Sequence, residues 1–238
     1  MMFARRRSPR RHDDASLATA WQVVSLLLDY PTEELVERRS LLEAAAAPLP
    51  AEVRDPVCRF LAVLGSADLG ALQREYVETF DTTRRCCLYL TYFAHGDTRK
   101  RGLALLEFKQ AYRRAGVELT ADELPDHLCV VLEFGATADR AVAQRLLDDH
   151  RAGVEMLRLA LADRQSPWHD VVLALVATLP ELESDDADAV AALIAKGPPS
   201  EDVGIDTQPY ALDPRLAEPP ARSNAPVALG TTIPVGAP

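Results

Sequence analysis

Apolar residues recur at intervals of three and four along most of the chain, which is the spacing of one face of an α-helix. The first such series ends before Pro31, which cannot continue a helix, and comprises Leu17, Ala20, Trp21, Val24, Leu27 and Leu28. Tracts of Ala, Leu, Glu and Arg also favour helix, and runs of β-branched residues are few. These patterns predict an all-α protein with one core.

Composition divides the chain into three parts. Five of the 26 basic residues lie in the first eleven positions, and nine of the 17 prolines lie in the final 41 residues. Segments of these two kinds bury too little apolar surface to fold. We predict a single helical domain over residues 15–197, between a disordered basic tail (1–14) and a disordered Pro-rich tail (198–238).

Charge, cysteine content and hydropathy restrict the class of protein further. The net charge of −10 argues against general nucleic-acid binding and favours a cationic partner. Cys58, Cys86, Cys87 and Cys129 form no C-x-x-C pair, so they are predicted to be reduced. The apolar run 21–28 is too short to span a bilayer. A cytoplasmic protein that is not membrane-embedded is therefore predicted.

Turn and capping residues place the remaining helices. One begins at the Thr32 cap and ends before Pro48, and the next ends at Gly65. Another runs from Leu69 to Phe80. Further helices are predicted over Thr98–Ala115 with Leu105, Leu106, Phe108 and Tyr112 inward, from Pro125, from Pro167, and over about 185–196. The stretch Asp139–Asp163 is predicted as one helix or as a pair that breaks near Gly153. The segment Leu88–Phe93 fits either a helical turn or a buried extended strand.

Two polar clusters stand at predicted helix starts. Asp97 fits an N-cap, and Arg99 and Arg101 in the turn that follows oppose the helix dipole. A binding role or a salt-bridge network is therefore the expectation for these arginines. Asp126 and His127 follow Pro125 at the next start, where the positive end of the helix favours a neutral imidazole.

A metal site or a hydrolase is the alternative for these polar groups. Its candidate residues are His95, Asp97, Asp126, His127 and Glu133. However, the chain has no H-E-x-x-H, G-x-S-x-G or phosphate-binding loop. Adjacent Asp126 and His127 on one helix would also point about 100° apart. We therefore predict no catalytic residue and no metal ligand, and a helical metal-dependent enzyme is the less favoured alternative.

Three separated motifs carry a family resemblance. They are Tyr76-x-x-x-Phe80-Asp81, His95-Gly96-Asp97-x-Arg99-x-Arg101-Gly102, and Glu123-Leu124-Pro125-Asp126-His127-Leu128 with Leu132-Glu133-Phe134. In this order, and after Leu28-Asp29-Tyr30-Pro31, they resemble the NarJ family of nitrate reductase assembly chaperones, or delta subunits. That family is part of the wider TorD-like group of redox enzyme maturation proteins.

The resemblance implies a single-domain TorD-like helical bundle and a chaperone that is not an enzyme. Such a chaperone binds the N-terminal segment of the nitrate reductase alpha subunit and supports molybdenum cofactor insertion before membrane docking. The client handles the cofactor, so none is expected to bind this chain stoichiometrically. Molybdenum cofactor biosynthesis proteins are a further class of expected partner. A chaperone for a dimethyl sulfoxide or trimethylamine N-oxide reductase is the alternative.

The resemblance also nominates residues for binding the client peptide. They are Tyr76, Phe80, Asp81, His95, Asp97, Arg99, Arg101, Glu123, Asp126 and His127. The helical spacing of Tyr76 and Phe80 favours a core role for both, with a cost of about 3–5 kcal/mol for each alanine substitution. Asp126→Asn is expected to change folding by about 1 kcal/mol or less while weakening a cationic peptide.

Deleting residues 198–238 is expected to leave stability and client binding unchanged, because a Pro-rich segment with few apolar residues buries little surface. The melting temperature should stay within about 2 °C of the full chain. Calorimetry of both proteins checks this, and a drop of many degrees would contradict it.

Overall fold

The computed structural model describes residues 13–96, 98–119 and 123–181, together with residues 188, 191 and 192. Over these residues the chain is helical, and its only β-type pairing is an isolated antiparallel bridge between Tyr89 and His127. The helices are α1 Asp14–Leu27, α2 Glu33–Glu37, α3 Arg39–Ala46, α4 Ala51–Ser66, α5 Leu69–Tyr76, α6 Tyr92–His95, α7 Arg99–Arg114, α8 Leu128–Thr137, α9 Arg140–Asp149, α10 Arg151–Asp163 and α11 Trp168–Thr178. The all-α prediction is confirmed.

The core lies between α1, α4, α8 and α11. Helix α1 packs against both α8 and α11, and α11 packs along α4. All six apolar residues predicted for the first helix are buried, and the indoles of Trp21 and Trp168 are fully enclosed. Gly135 allows α8 to approach α1 closely, because a Cβ there would lie 2.5 Å from the ring of Trp21.

Two aromatic side chains satisfy the last carbonyls of α1. The Trp168 indole Nε1–H donates to the Leu27 carbonyl at 3.2 Å, and the Tyr76 hydroxyl donates to the Leu28 carbonyl at 3.0 Å. Helix ends leave carbonyls without intrahelical donors, and buried ones are costly unless paired. These two bonds therefore allow α1 to end inside the core, just before Pro31.

Tyr76 and Phe80 belong to an aromatic cluster around Trp168. The Tyr76 ring centroid lies 4.7 Å from that of Phe80, 5.4 Å from that of Trp168 and 5.4 Å from that of Tyr30. Both Tyr76 and Phe80 are buried, so the prediction that they are core aromatics is confirmed. A π-helical turn, Val77–Asp81, continues α5 and carries Phe80 into the cluster.

Several predicted boundaries were wrong. The helix capped by Thr32 is two helices, because the chain turns at Arg38 between α2 and α3. Gly65 lies inside α4 rather than ending it, and a Cβ there would lie 2.7 Å from the Arg39 guanidinium. Leu106 is 45% exposed instead of inward. Gly116 does end α7, with a positive φ of 78° that favours glycine.

Some predictions fall outside the described residues. They concern the Asp97 cap, the capping residues 120–122, residues 1–12 of the basic tail, the Pro-rich tail, and most of the last helix, over 185–196. The last two residues of the predicted basic tail, Asp13 and Asp14, are the N-cap and the first residue of α1. Among the described helices, none has the length and apolar content needed to cross a membrane.

Tyr76→Phe is expected to lower the free energy of unfolding by about 1–3 kcal/mol, because it leaves the buried Leu28 carbonyl without its donor. Tyr30→Phe is the matched control, since Tyr30 is 41% exposed in the same cluster. It should change stability by about 0.5 kcal/mol or less. Urea denaturation measures both, and equal effects of the two substitutions would contradict this role.

Candidate functional site

Two of the sequence motifs meet through backbone hydrogen bonds. The Leu90 N–H donates to the Asp126 carbonyl at 3.0 Å, and the Leu128 N–H donates to the Leu88 carbonyl at 2.8 Å. This short antiparallel pairing places the Tyr89 ring 5.1 Å from the His127 ring. The segment 88–93 is therefore extended at first and then enters α6, so both alternatives left open by the sequence are realised in turn.

The buried Asp126 carboxylate links these two segments through hydrogen bonds. Asp126 is 0% exposed. Its Oδ2 accepts hydrogen bonds from the Thr91 backbone N–H at 3.1 Å and from the Thr91 hydroxyl at 2.5 Å. The Arg101 guanidinium lies 3.8 Å from the same oxygen. A buried carboxylate needs such donors, and here they come from two different elements.

Arg101 contacts the same group of residues from the start of α7. Its Nε–H donates to the Thr91 hydroxyl at 3.3 Å, and its guanidinium carbon lies 5.3 Å from the Tyr89 ring centroid and 5.8 Å from that of Tyr92. The side chain is only 15% exposed. The unfavourable position of Arg101 at the start of α7 is thus offset by an internal ion-pair and cation–π network.

The predicted surroundings of Asp126 were wrong. Helix α8 begins at Leu128, not at Pro125, and the preceding turn is closed by the His127 N–H donating to the Leu124 carbonyl at 3.1 Å. Asp126 is therefore a buried carboxylate that links two segments, rather than a residue at the start of a helix. The expectation that Asp126→Asn hardly affects folding does not hold for a buried carboxylate with these partners.

His127 has its imidazolium form disfavoured. Burial lowers the pKa of His127 below its ordinary value, while the carboxylates of Glu123, Asp29 and Asp126 oppose that shift. The direction agrees with the neutral imidazole expected from the sequence. The main cause is burial, which disfavours the charged form of the imidazole.

Three exposed carboxylates act electrostatically on His127, Tyr89 or the neighbouring Tyr76. Asp29 and Glu123 both act electrostatically on His127 and on Cys129, and Glu123 also raises the pKa of Tyr89 beyond the effect of burial. Asp29 and Asp81 both act on Tyr76. Salt screens the interaction between exposed charges over about 10 Å, so a carboxylate that shifts the pKa of another group lies near it. We call the exposed carboxylates Asp29, Asp81 and Glu123, together with Tyr89 and His127, the acidic face.

The structure sorts the ten nominated residues by exposure. Buried inside are Tyr76, Phe80 and Asp126, whereas His95, Arg101 and His127 are partly buried. Open to solvent are Asp81, Arg99 and Glu123, and Asp97 lies outside the described residues. The motifs therefore contain a buried set that shapes the acidic face and an exposed set that a partner can reach.

Sequence reasoning missed Tyr89 and Thr91. Both lie in the segment whose apolar pattern fits either a helical turn or an extended stretch, so periodicity does not indicate side-chain roles there. The only signal in the sequence is the presence of two hydrogen-bonding side chains, Tyr89 and Thr91, in a short run without helical periodicity. Asp29 and Tyr30 belong to the motif Leu28-Asp29-Tyr30-Pro31, but nothing in the sequence predicts that they and Glu123 belong to one site.

Metal binding gains no support from the geometry. In the parts of the chain that the structure describes, no group of three or more His, Cys, Asp or Glu side chains is arranged to hold a metal ion. The candidates His95 and Glu133, for example, lie on different helices, α6 and α8. The four cysteines are free thiols.

Comparison with known proteins identifies the family. The sequence profile described as "Nitrate reductase delta subunit" matches residues 46–193, which is more than half of the chain. The chain belongs to the nitrate reductase delta subunit family. This confirms the resemblance noted from the motifs, and curated relatives of this chain are named as nitrate reductase assembly chaperones.

Three relatives support the assignment. The nitrate reductase-like protein NarX of Mycobacterium tuberculosis is 38% identical over 66% of this chain, which spans only 24% of NarX. The probable nitrate reductase molybdenum cofactor assembly chaperone NarJ of Bacillus subtilis is 31% identical over 67% of this chain and 87% of its own length. NarJ of Escherichia coli K12, named as a chaperone of the same kind, is 34% identical over 80% and 79%.

A solved structure supports the fold. A redox enzyme maturation protein from Archaeoglobus fulgidus matches 72% of this chain and 96% of its own length, with a TM-score of 0.50 and 23% identity. At this identity the likeness shows the fold alone. It confirms the expected helical architecture of the maturation-protein group.

The lowered pKa of His127 predicts a pH dependence of stability. Between the lowered pKa and about 6.5, the unfolded state binds a proton that the folded state does not. The free energy of unfolding should therefore fall as the pH drops below about 6.5, and His127→Asn should make that fall shallower. Urea denaturation at several pH values tests this, and parallel curves for both proteins would contradict it.

Proposed function

We propose that this protein is a cytoplasmic chaperone for the alpha subunit of a respiratory nitrate reductase. It binds the N-terminal segment of that subunit and supports molybdenum cofactor insertion before membrane docking. The observation that carries the proposal is the acidic face, where separate family motifs converge on Tyr89 and His127. Membership of the delta subunit family and the names of the NarJ relatives support the choice of client.

The acidic face suits a basic, amphipathic peptide. Asp29, Asp81 and Glu123 supply negative charge that attracts and orients a cationic segment. Exposed apolar side chains are next to two of the carboxylates in the chain. Tyr30 follows Asp29 and is 41% exposed, and Leu124 follows Glu123 and is 40% exposed. Peptide recognition of this kind combines apolar contacts for affinity with charges for register.

An open acidic cleft extends the charged surface next to Tyr30. Glu33, Glu34 and Glu37 line it together with Gln73, whose side-chain amide donates to the Pro31 carbonyl at 2.9 Å. A peptide that crosses the acidic face can thus continue into a second group of carboxylates. This continuity favours an extended, multiply charged client segment over a single small ligand.

The nominated residues have different roles in this proposal. Tyr76, Phe80 and Asp126 shape the acidic face from within, and Asp81 and Glu123 contact the peptide. His127 presents a neutral imidazole that accepts or donates one hydrogen bond. His95 and Arg101 border this face, where positive charge disfavours the reversed peptide orientation, and Asp97 and Arg99 stay predictions from the sequence.

The cofactor belongs to the client. The chaperone holds the client segment while the molybdenum cofactor is inserted, so the chain itself needs no resident metal. Molybdenum cofactor biosynthesis proteins are the second class of partner in this proposal, since they deliver the cofactor to the same client.

Neutralising the acidic face is expected to weaken client binding. The variant Asp29→Asn/Asp81→Asn/Glu123→Gln should raise the Kd for a synthetic peptide of the client N-terminus at least about tenfold at low salt, because three attractive charges are lost. The difference from wild type should shrink as salt increases. Calorimetry at two ionic strengths measures both effects.

A matched control separates local from overall charge. Glu52→Gln/Asp149→Asn/Asp163→Asn removes three exposed carboxylates from α4, α9 and α10, where none makes an ion pair among the described residues. It should leave the Kd within about twofold of wild type. Equal weakening by both variants would refute the acidic face as the site. No peptide binding by the wild type would refute the proposed client.

A further inference from the structure

Helix α7 exposes leucines on the side that faces away from the core. Its buried side chains are Phe108 and Tyr112. Leu103 is 69% exposed and Leu106 is 45% exposed, and Leu103 is the most exposed of the large apolar side chains in the described residues. A single exposed leucine is ordinary, but two on adjacent turns of one helix form a patch.

The exposed leucines of α7 lie between basic and polar residues on one face of the helix. Arg99, Leu103, Leu106, Gln110 and Arg113 are separated by alternating steps of four and three residues. Such steps keep residues on one face of a helix, and this face has two exposed leucines at its centre and charged or polar residues at its ends. We call these five residues the outer seam.

The outer seam is strongly basic on an acidic protein. Helix α7 contains six basic residues and one acidic residue, whereas the whole chain has a net charge of −10. Within the described part of the chain, no carboxylate forms an ion pair with Arg99 or Arg113. The positive charge at both ends of the seam is therefore available to a partner.

We propose that the outer seam is a second docking surface, which pairs with an acidic amphipathic helix of a partner protein. The leucines at the centre would pack against apolar residues of that helix, and its carboxylates would meet Arg99 and Arg113. This partner is chemically the opposite of the basic peptide assigned to the acidic face, so the two surfaces take different segments.

A membrane surface fits the seam less well. Membrane-surface helices bury a long continuous apolar face, whereas this face of α7 offers only Leu103 and Leu106. The net charge of −10 also repels an anionic bilayer. Two leucines between basic residues, by contrast, match an amphipathic helix that has an apolar face and acidic flanks.

Site-specific photocrosslinking in cells tests the proposal. The photoreactive residue p-benzoylphenylalanine replaces Leu103 in the full chain, and the control places it at Leu41, which is 67% exposed on α3. Sequencing of the crosslinked peptide identifies the captured segment. We expect a crosslink specific to position 103, in a protein segment with net negative charge and apolar residues spaced three and four apart.

A binding measurement then quantifies the contact. A synthetic peptide of the captured segment should bind the wild type, and Leu103→Gln/Leu106→Gln should raise its Kd at least about tenfold. Leu41→Gln/Val63→Gln is the control and should leave the Kd within about twofold, since both residues are also exposed, at 67% and 36%. The triple variant of the acidic face should retain the crosslink, which separates this proposal from the proposed function.

Several results would overturn the inference. They are a yield at position 103 no higher than at position 41, a crosslink to lipid, a crosslink to a second copy of this chain, and a captured segment that is neutral or basic. Equal effects of the two double substitutions on the Kd would overturn it as well.

Discussion

A buried carboxylate holds the site together. Asp126 accepts both the backbone N–H and the hydroxyl of Thr91 and lies 3.8 Å from the Arg101 guanidinium. Because the three residues come from different segments, this one group fixes the extended stretch before α6 against the turn before α8. The pairing of Tyr89 with His127, and hence the centre of the acidic face, depends on it.

The end of α1 is a second constraint, and it connects the early motif to the aromatic one. Tyr76 and Trp168 donate to the last carbonyls of α1 and thereby fix where Asp29 and Tyr30 leave the core. The family motifs thus act largely through folding. Their buried members determine geometry, while the exposed carboxylates beside them provide the charge for recognition.

The sequence predicted the helices well, because long apolar periodicity and caps such as Thr32 are local signals. It failed where tertiary contacts override local rules. The helix start expected at Pro125 lies at Leu128, because Asp126 is drawn inward by Thr91. Leu106 points outward, although its spacing suggested a core position. The motifs named most of the site residues, but their division into buried and exposed sets required the structure.

The claim that Asp126 acts through Thr91 is tested most directly by a double-mutant cycle on stability. Urea denaturation would compare wild type, Asp126→Asn, Thr91→Val and the double variant. We expect Asp126→Asn alone to lower the free energy of unfolding by about 1.5–3 kcal/mol, and the two changes to couple by about 1 kcal/mol or more. Costs that add within about 0.3–0.5 kcal/mol would contradict it.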